Sequence, residues 1–155
     1  MKRSDIEQTL EACQFFEGIE KEALREIADL CEEQTFEVGG YVFQQGDHGD
    51  RLYIISDGQV FLERSRDLGS RSGSVVISAL GKGRLLGCWS TLLGEPHMLM
   101  CSATCRKPTS VISFKGSDLR KIMVENNNIG FYILERLSFL LRDRIQSAYD
   151  ALEKL

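Results

Sequence analysis

VFQQGDHGDRLYIISDGQVFL, residues 42–62, is the stretch on which the fold turns. Val42 and Phe43 belong to a strand over 41–45. The cluster Gly46, Asp47, His48, Gly49 and Asp50 is a dense turn signal. An apolar strand follows over 52–56, Asp57-Gly58 signals a tight hairpin, and the strand resumes over 59–63. Each glycine of the turn cluster is expected to supply a backbone angle that other residues resist. Strand, turn, strand and hairpin in so short a span mean locally connected, antiparallel β structure.

Working outward, the same period of two continues. Thr35–Val38 alternates and Gly39-Gly40 turns the chain. A polar, glycine-containing stretch over 65–74 reads as a mobile loop, and a strand follows over 75–80. Gly81-Lys82-Gly83 is another turn. After Gly87 a short helical patch over 88–93 interrupts the sheet. Two more strands are expected over 98–105 and 110–114, joined through Lys107-Pro108-Thr109. Many short strands with turns at regular spacing indicate a roll or barrel rather than a parallel sheet. At the flanks the period becomes helical. Ser4 and Asp5 are candidate caps for a first helix carrying Ile6, Leu10 and Cys13. A second helix is expected over 20–33, with Leu24, Ile27, Leu30 and Cys31 on one stripe. Past Ser117 a helix covers about 118–124, the Asn126–Gly130 region breaks it, and a last helix runs from about 131 to 155. The expected class is therefore α+β, one domain over 1–155: N-terminal helices in 1–33, an antiparallel, jelly-roll-like β-roll in 34–114, and C-terminal helices in 115–155.

Composition narrows the function. The chain has 155 residues, 43% hydrophobic and 27% charged, and a formal net charge of −4. That balance argues against a large nucleic-acid footprint, which is usually basic. No apolar run is long enough to span a bilayer and no signal-peptide core is present, so a cytoplasmic protein without membrane contact is expected. The five cysteines, Cys13, Cys31, Cys88, Cys101 and Cys105, are odd in number and form no CxxC, so buried thiols are expected rather than a disulfide framework. An enzyme is not expected: His48 and His97 are the two histidines, and no GxSxG, Walker loop, HExxH or paired-carboxylate motif occurs.

Residues 42–62 resemble the cyclic nucleotide-binding domain family, of the catabolite activator protein and cAMP-dependent protein kinase regulatory subunit type. The resemblance rests on Gly46, Asp47, Gly49, Asp50, the strand Leu52, Tyr53, Ile54, Ile55, and Gly58. It extends to 20–33 as the entry helix, to 80–87 as the approach to a phosphate-binding cassette, to 114–124 as the helix after the last strand, and to the final helix as a dimerising hinge. It implies a β-roll with a cassette helix over a central pocket. In the family a cassette Glu accepts a hydrogen bond from the ribose 2′-hydroxyl and a cassette Arg pairs with the cyclic phosphate, beside helix N-terminal amides.

Here the cassette departs. Aligned without gaps, Gly87 stands on the family's glycine, Cys88 on its Glu, Pro96 on its Pro and His97 on its Arg; a gapped alignment puts Leu99 on the Arg. Either way both polar anchors are replaced. Hydrogen bonds to charged groups contribute about 1.5–3 kcal/mol each, so the loss of two weakens binding by roughly two to four orders of magnitude. A cyclic nucleotide is thus the ligand that the resemblance implies and the cassette opposes. The candidate pocket residues are Gly87, Cys88, Trp89, Ser90, Thr91, His97, Met98 and Leu99, with Lys82 and Arg84 as candidate anion contacts. Arg64, Arg66 and Arg71 are further cations near the polar stretch.

Three readings of function follow. Trp89, Met98, Leu99 and Met100 suit an apolar pocket, hence a sensor for another small molecule. A retired pocket suits a ligand-free scaffold that dimerises or docks on an effector protein. Cys88 and His97, with Cys101 or Cys105, are ligand types for a metal or haem, and Cys88 near a helix start suits a reactive thiol, but the spacing matches no closed zinc pattern and haem is not expected. A transcription regulator of the catabolite activator kind would need a further effector domain. Leu134, Leu137, Leu141, Ile145, Ala148, Leu152 and Leu155 lie at threes and fours, the seam of a coiled coil. A parallel homodimer through this helix is expected, its part beyond Arg142 extending past the domain body.

Overall fold

The period-two segments form antiparallel sheets in the computed structural model, which describes residues 2–67, 69, 72–95 and 97–154. The expectations placed on Arg71, Pro96 and Leu155 lie outside the described residues. One sheet has the order β1 (Glu32–Phe36), β10 (Thr109–Lys115), β4 (Arg51–Asp57), β7 (Leu85–Gly87). The other runs β2 (Tyr41–Phe43), β9 (Ser102–Cys105), β5 (Val60–Asp67), β6 (Ser72–Leu80). A two-residue ladder joins β3 (His48–Gly49) to β8 (His97–Met98).

Side-chain alternation divides the core in two. From β4, β7 and β10, Ile55, Leu86 and Val111 point into the roll and meet Phe43, Val60, Leu62 and Ala103 of the other sheet. Leu52, Ile54, Leu85, Ile112 and Phe114 point the other way, onto the helices. β4 is therefore covered on both faces, which is why it reads as a continuous apolar run.

α1 (Arg3–Ala12) starts one residue earlier than Ser4: Lys2 is the cap, and its backbone N–H donates to Asp5 Oδ2 at 3.2 Å. A 3-10 turn, Gln14–Phe16, plants Phe15 and Phe16 in the helix-side core. α2 (Lys21–Asp29) ends short of the expected 33, because Glu32 and Glu33 are claimed by pairing with Ser113 and Ile112 of β10. Among its described residues, the stretch over 65–74 is not the expected loop. β5 and β6 run through it as a ribbon, with Arg64 opposite Val75 and Arg66 opposite Gly73. Its residues project beyond the core, so no apolar alternation advertised it. The strand expected over 98–105 is broken by Leu99–Cys101, with β8 before and β9 after.

α3 (Gly116–Glu125) and α4 (Asn127–Glu153) meet at Asn126, whose side chain accepts from Ile129 N at 3.3 Å. The expected break thus falls at Asn126, and Asn127–Gly130 opens the last helix, which starts earlier than the expected 131. The helix also does not leave the domain beyond Arg142: Ala151 is buried, and Ala148, Ala151 and Leu152 face Val75 and Ile77 of β6 across a groove of about 400 Å³. The expected seam splits. Leu137 faces the domain, whereas Leu134, Ile145 and Leu152 are exposed.

Candidate functional site

β7 delivers the chain to the cassette at Gly87, which has φ +130°. A Cβ there would lie 2.5 Å from the Arg51 carbonyl oxygen, so only glycine lets the strand pass β4 this closely. Cys88 N–H donates to that carbonyl at 3.1 Å, and the 3-10 helix Trp89–Leu93 begins. It is held from beneath. Leu92 is buried in the helix-side core, and Arg120 of α3 donates from Nη1 to the Leu92 carbonyl at 2.6 Å, a cation on the helix C-terminus. Thr91 Oγ1 donates to the Cys88 carbonyl at 2.7 Å and lies against Gly116 of α3, where a Cβ would be 1.7 Å away.

The turn cluster closes the far side. Gly46 has φ +92°, as the sequence predicts for such a turn. Gly49 does not adopt a left-handed angle. It is needed for room, since a Cβ would sit 3.1 Å from Leu99 Cδ1 and 3.2 Å from Cys88 Cβ. Leu99 is fixed by two backbone bonds, its N–H donating to the Asp47 carbonyl at 2.7 Å and its carbonyl accepting from Gly46 N–H at 2.8 Å.

Between cassette, turn and roll lies a cavity of about 80 Å³. Phe43, Leu62, Leu86 and Leu99 form apolar walls, Gly87–Ser90 one edge, and His97, Met98, Met100 and Cys101 the rim. Of the residues singled out in the sequence, Gly87, Cys88, Trp89, Ser90, His97, Met98 and Leu99 come together here. Thr91 faces α3 instead. Lys82 and Arg84 stand outside: Lys82 is exposed on its turn, and Arg84 lines a neighbouring cavity of about 100 Å³ with Cys13, Phe15, Arg136 and Asp143. Cys88 is buried, its Sγ donating weakly to the His97 carbonyl and lying 3.5 Å from both that oxygen and Ser90 Oγ. The exposed His97 ring donates from Nδ1 to the Met98 carbonyl at 2.6 Å.

One cavity residue was missed. Arg144, from the middle of α4, reaches under the cassette, donates from Nη2 to the Leu85 carbonyl at 2.5 Å and sits 6.0 Å from the Trp89 ring centroid. Burial, and then the charge of Arg84, push its guanidinium down to about 10. It remains charged at neutral pH. A signal existed: Arg144 stands one heptad from Leu137 and from Ala151, both buried, and so on the inward stripe of α4.

The remaining thiols are held protonated. Burial pushes Cys13 up to about 11 and Cys31 up to about 12, and raises Cys101 and Cys105 as well. Among the described residues no three His, Cys, Asp or Glu side chains gather as a metal would require. No helix among them is long and apolar enough to cross a membrane.

The model of the cyclic nucleotide-binding domain matches residues 33–126, which hold every strand but the first residue of β1. The chain belongs to the cyclic nucleotide-binding domain family. A domain of this family regulates and does not catalyse. The cAMP-dependent protein kinase regulatory subunit of Dictyostelium discoideum is 34% identical over 96 residues, covering 62% of this chain and 29% of that protein. A CRP-like cAMP-activated global transcriptional regulator of Mycobacterium tuberculosis is 26% identical over 137 residues, covering 88% of this chain and 59% of that one. The chain thus spans less than two thirds of the length of these relatives. In fold, a cyclic nucleotide-binding domain from Methylobacillus flagellatus KT superposes with a TM-score of 0.78 at 21% identity, covering 99% of this chain and 84% of the other. The β-roll with its long C-terminal helix is that family's architecture.

Proposed function

We propose that this domain is a ligand sensor whose pocket does not take cyclic nucleotides in the family's usual way, and whose occupancy is read by the last helix. The observation that carries the reading is the cavity between cassette and roll. At about 80 Å³ it is far smaller than the roughly 300–1,000 Å³ of ordinary small-molecule sites. Cys88 and His97 border it where the resemblance places the Glu and the Arg, and Arg144 fills part of it from α4. An occupant there presses on the 3-10 helix Trp89–Leu93 and on α4 together, so it shifts the protein between states to which it binds unequally.

The test is titration calorimetry of cAMP and cGMP into the dialysed protein. No heat at millimolar nucleotide is expected; micromolar binding would overturn the reading and make the domain an ordinary second-messenger receptor.

The same small cavity favours one second reading, a scaffold that keeps the fold without a ligand. Both readings use α4 as a partner surface. Phe131, Leu134, Ile145 and Leu152 are exposed at heptad-compatible spacing, which supports a homodimer through this helix. Ile145→Glu is then expected to convert a concentration-dependent dimer into a monomer in sedimentation equilibrium. A wild-type mass that stays monomeric over the whole concentration range removes the dimer. Direct nucleic-acid contact is not part of the proposal, given the net charge of −4.

A further inference from the structure

We propose that Arg144 is the anion-binding residue of this pocket, and that the ligand is a small monocarboxylate whose short apolar tail lies on Phe43, Leu62 and Leu99. The inference rests on the reading above that the cavity is a ligand site.

Three observations carry it. First, Arg144 makes no direct ion pair: Asp143 acts on it only from a distance. Among the described residues no carboxylate lies within ion-pair distance of its guanidinium, whose described hydrogen bond goes to the Leu85 carbonyl, and none of the cavity's lining side chains is acidic. A guanidinium carries five N–H donors in a fixed fork, so Arg144, which lines the cavity, keeps donor capacity beyond its bond to Leu85. An unpaired charge in such a place is costly, and an arriving anion relieves that cost. Second, the surroundings reinforce the positive potential. Arg64 reaches the rim from β5 and donates from Nη1 to the Met100 carbonyl at 2.6 Å, and the charges of Arg144 and Arg64 both favour the thiolate of Cys101. Arg84 adds a third charge on the far side of Arg144. Third, the size and walls select the ligand. A buried water needs about 10–15 Å³ of comparable space, so about 80 Å³ holds roughly five to eight such groups. That suits a carboxylate with a few carbons and leaves no room for a nucleotide. The apolar walls favour an organic tail over a bare inorganic ion.

The placement also links binding to output. Arg144 belongs to α4, while Trp89 belongs to the cassette. An anion on the guanidinium competes with the Leu85 carbonyl and with the Trp89 ring, and so acts on both elements through one side chain.

Trp89 is the sole tryptophan of the chain and reports directly. Its emission is followed while acetate, propionate, butyrate and inorganic phosphate are titrated at constant ionic strength, with propionamide as a neutral isostere and cAMP and cGMP alongside. The expected result is a saturable change with a monocarboxylate, weakened about ten-fold or more in Arg144→Gln, in line with a charge-assisted bond, and weakened less in Arg144→Lys. Amide binding as tight as carboxylate binding, an Arg144→Gln affinity equal to wild type, or phosphate binding without carboxylate binding overturns the inference while leaving the sensor reading intact. Silence toward every compound overturns the inference too, and favours the scaffold over the sensor.

Discussion

Gly116→Ala is the most discriminating single change in this domain. In most helices replacing Gly by Ala stabilises by about 0.5–1 kcal/mol. Gly116, however, is the first residue of α3, and a Cβ there would stand 1.7 Å from Thr91 Oγ1 and 2.4 Å from Thr91 Cβ. Thr91 cannot yield cheaply, because its hydroxyl donates to the Cys88 carbonyl and the next residue, Leu92, is locked in the core. Opening the contact to normal separation moves the cassette helix off α3, an overpacking cost of about 3 kcal/mol. At about 2–4 °C per kcal/mol for a domain of this size, the melting temperature falls by about 6–12 °C. Thr91→Gly alone loses a hydrogen bond and adds a helix glycine, about 2 kcal/mol together. The double variant then costs about 2–3 kcal/mol rather than 5, a coupling well above the additivity error of about 0.5 kcal/mol. Thr91→Ala does not rescue, since its Cβ remains. Urea unfolding followed by Trp89 emission measures all four stabilities. A neutral or stabilising Gly116→Ala, or additive costs in the double variant, refutes the reasoning.

Other consequences follow from the thiols and from Arg120. Between about pH 9 and 11 an unfolded Cys13 thiol has lost its proton while the folded one keeps it, so the unfolded state binds fewer protons and stability falls as pH rises. The melting temperature is expected to decline more steeply over that window in wild type than in Cys13→Ala plus Cys31→Ala; equal slopes contradict the assignment. At pH 8 the folded Cys13 has about a hundred-fold less thiolate than a free thiol, so its labelling by a disulfide reagent is slower by at least that factor than in urea. Arg120→Ala removes the bond that ends the cassette helix, with an expected cost of about 1.5–3 kcal/mol and faster amide exchange over 89–93. Unchanged exchange there would show that α3 does not hold the cassette.

The architecture was legible because strands buried on one or both faces leave a strong periodic signature, and residues 42–62 carry two strands, a turn and a hairpin together. Boundaries were lost where the pairing partner lay far away in sequence or where the paired residues were polar. Nothing near Glu32 announces its pairing with Ser113, and nothing in the polar ribbon around Arg66 announces Gly73. The site was half legible. Seven of the eight named pocket residues converge, because they sit in one continuous segment beside the turn. Thr91 does not line the cavity, because its side chain is taken up by the Cys88 carbonyl and the close approach of Gly116. Arg144 is masked by its charge: beside Arg142 and Asp143 it sits in a charged run of the last helix, though the heptad it shares with Leu137 and Ala151 places it inward. Gly49 was recognised for a wrong reason, as a turn angle instead of a vacancy for Leu99 and Cys88.

β4 serves as a party wall between the two halves of the interior. A wall gripped from both sides makes a poor moving part, since any slide would have to repack Leu52, Ile54 and Ile55 at once. If the cavity is a ligand site, as proposed, pressure arising in it would not be absorbed by the sheets. It would pass to the components that lean on the wall without being built into it: the 3-10 helix, the Leu99–Cys101 segment and, through Arg144, the shaft of α4. In that proposal the masonry gives the signal its direction by refusing to move.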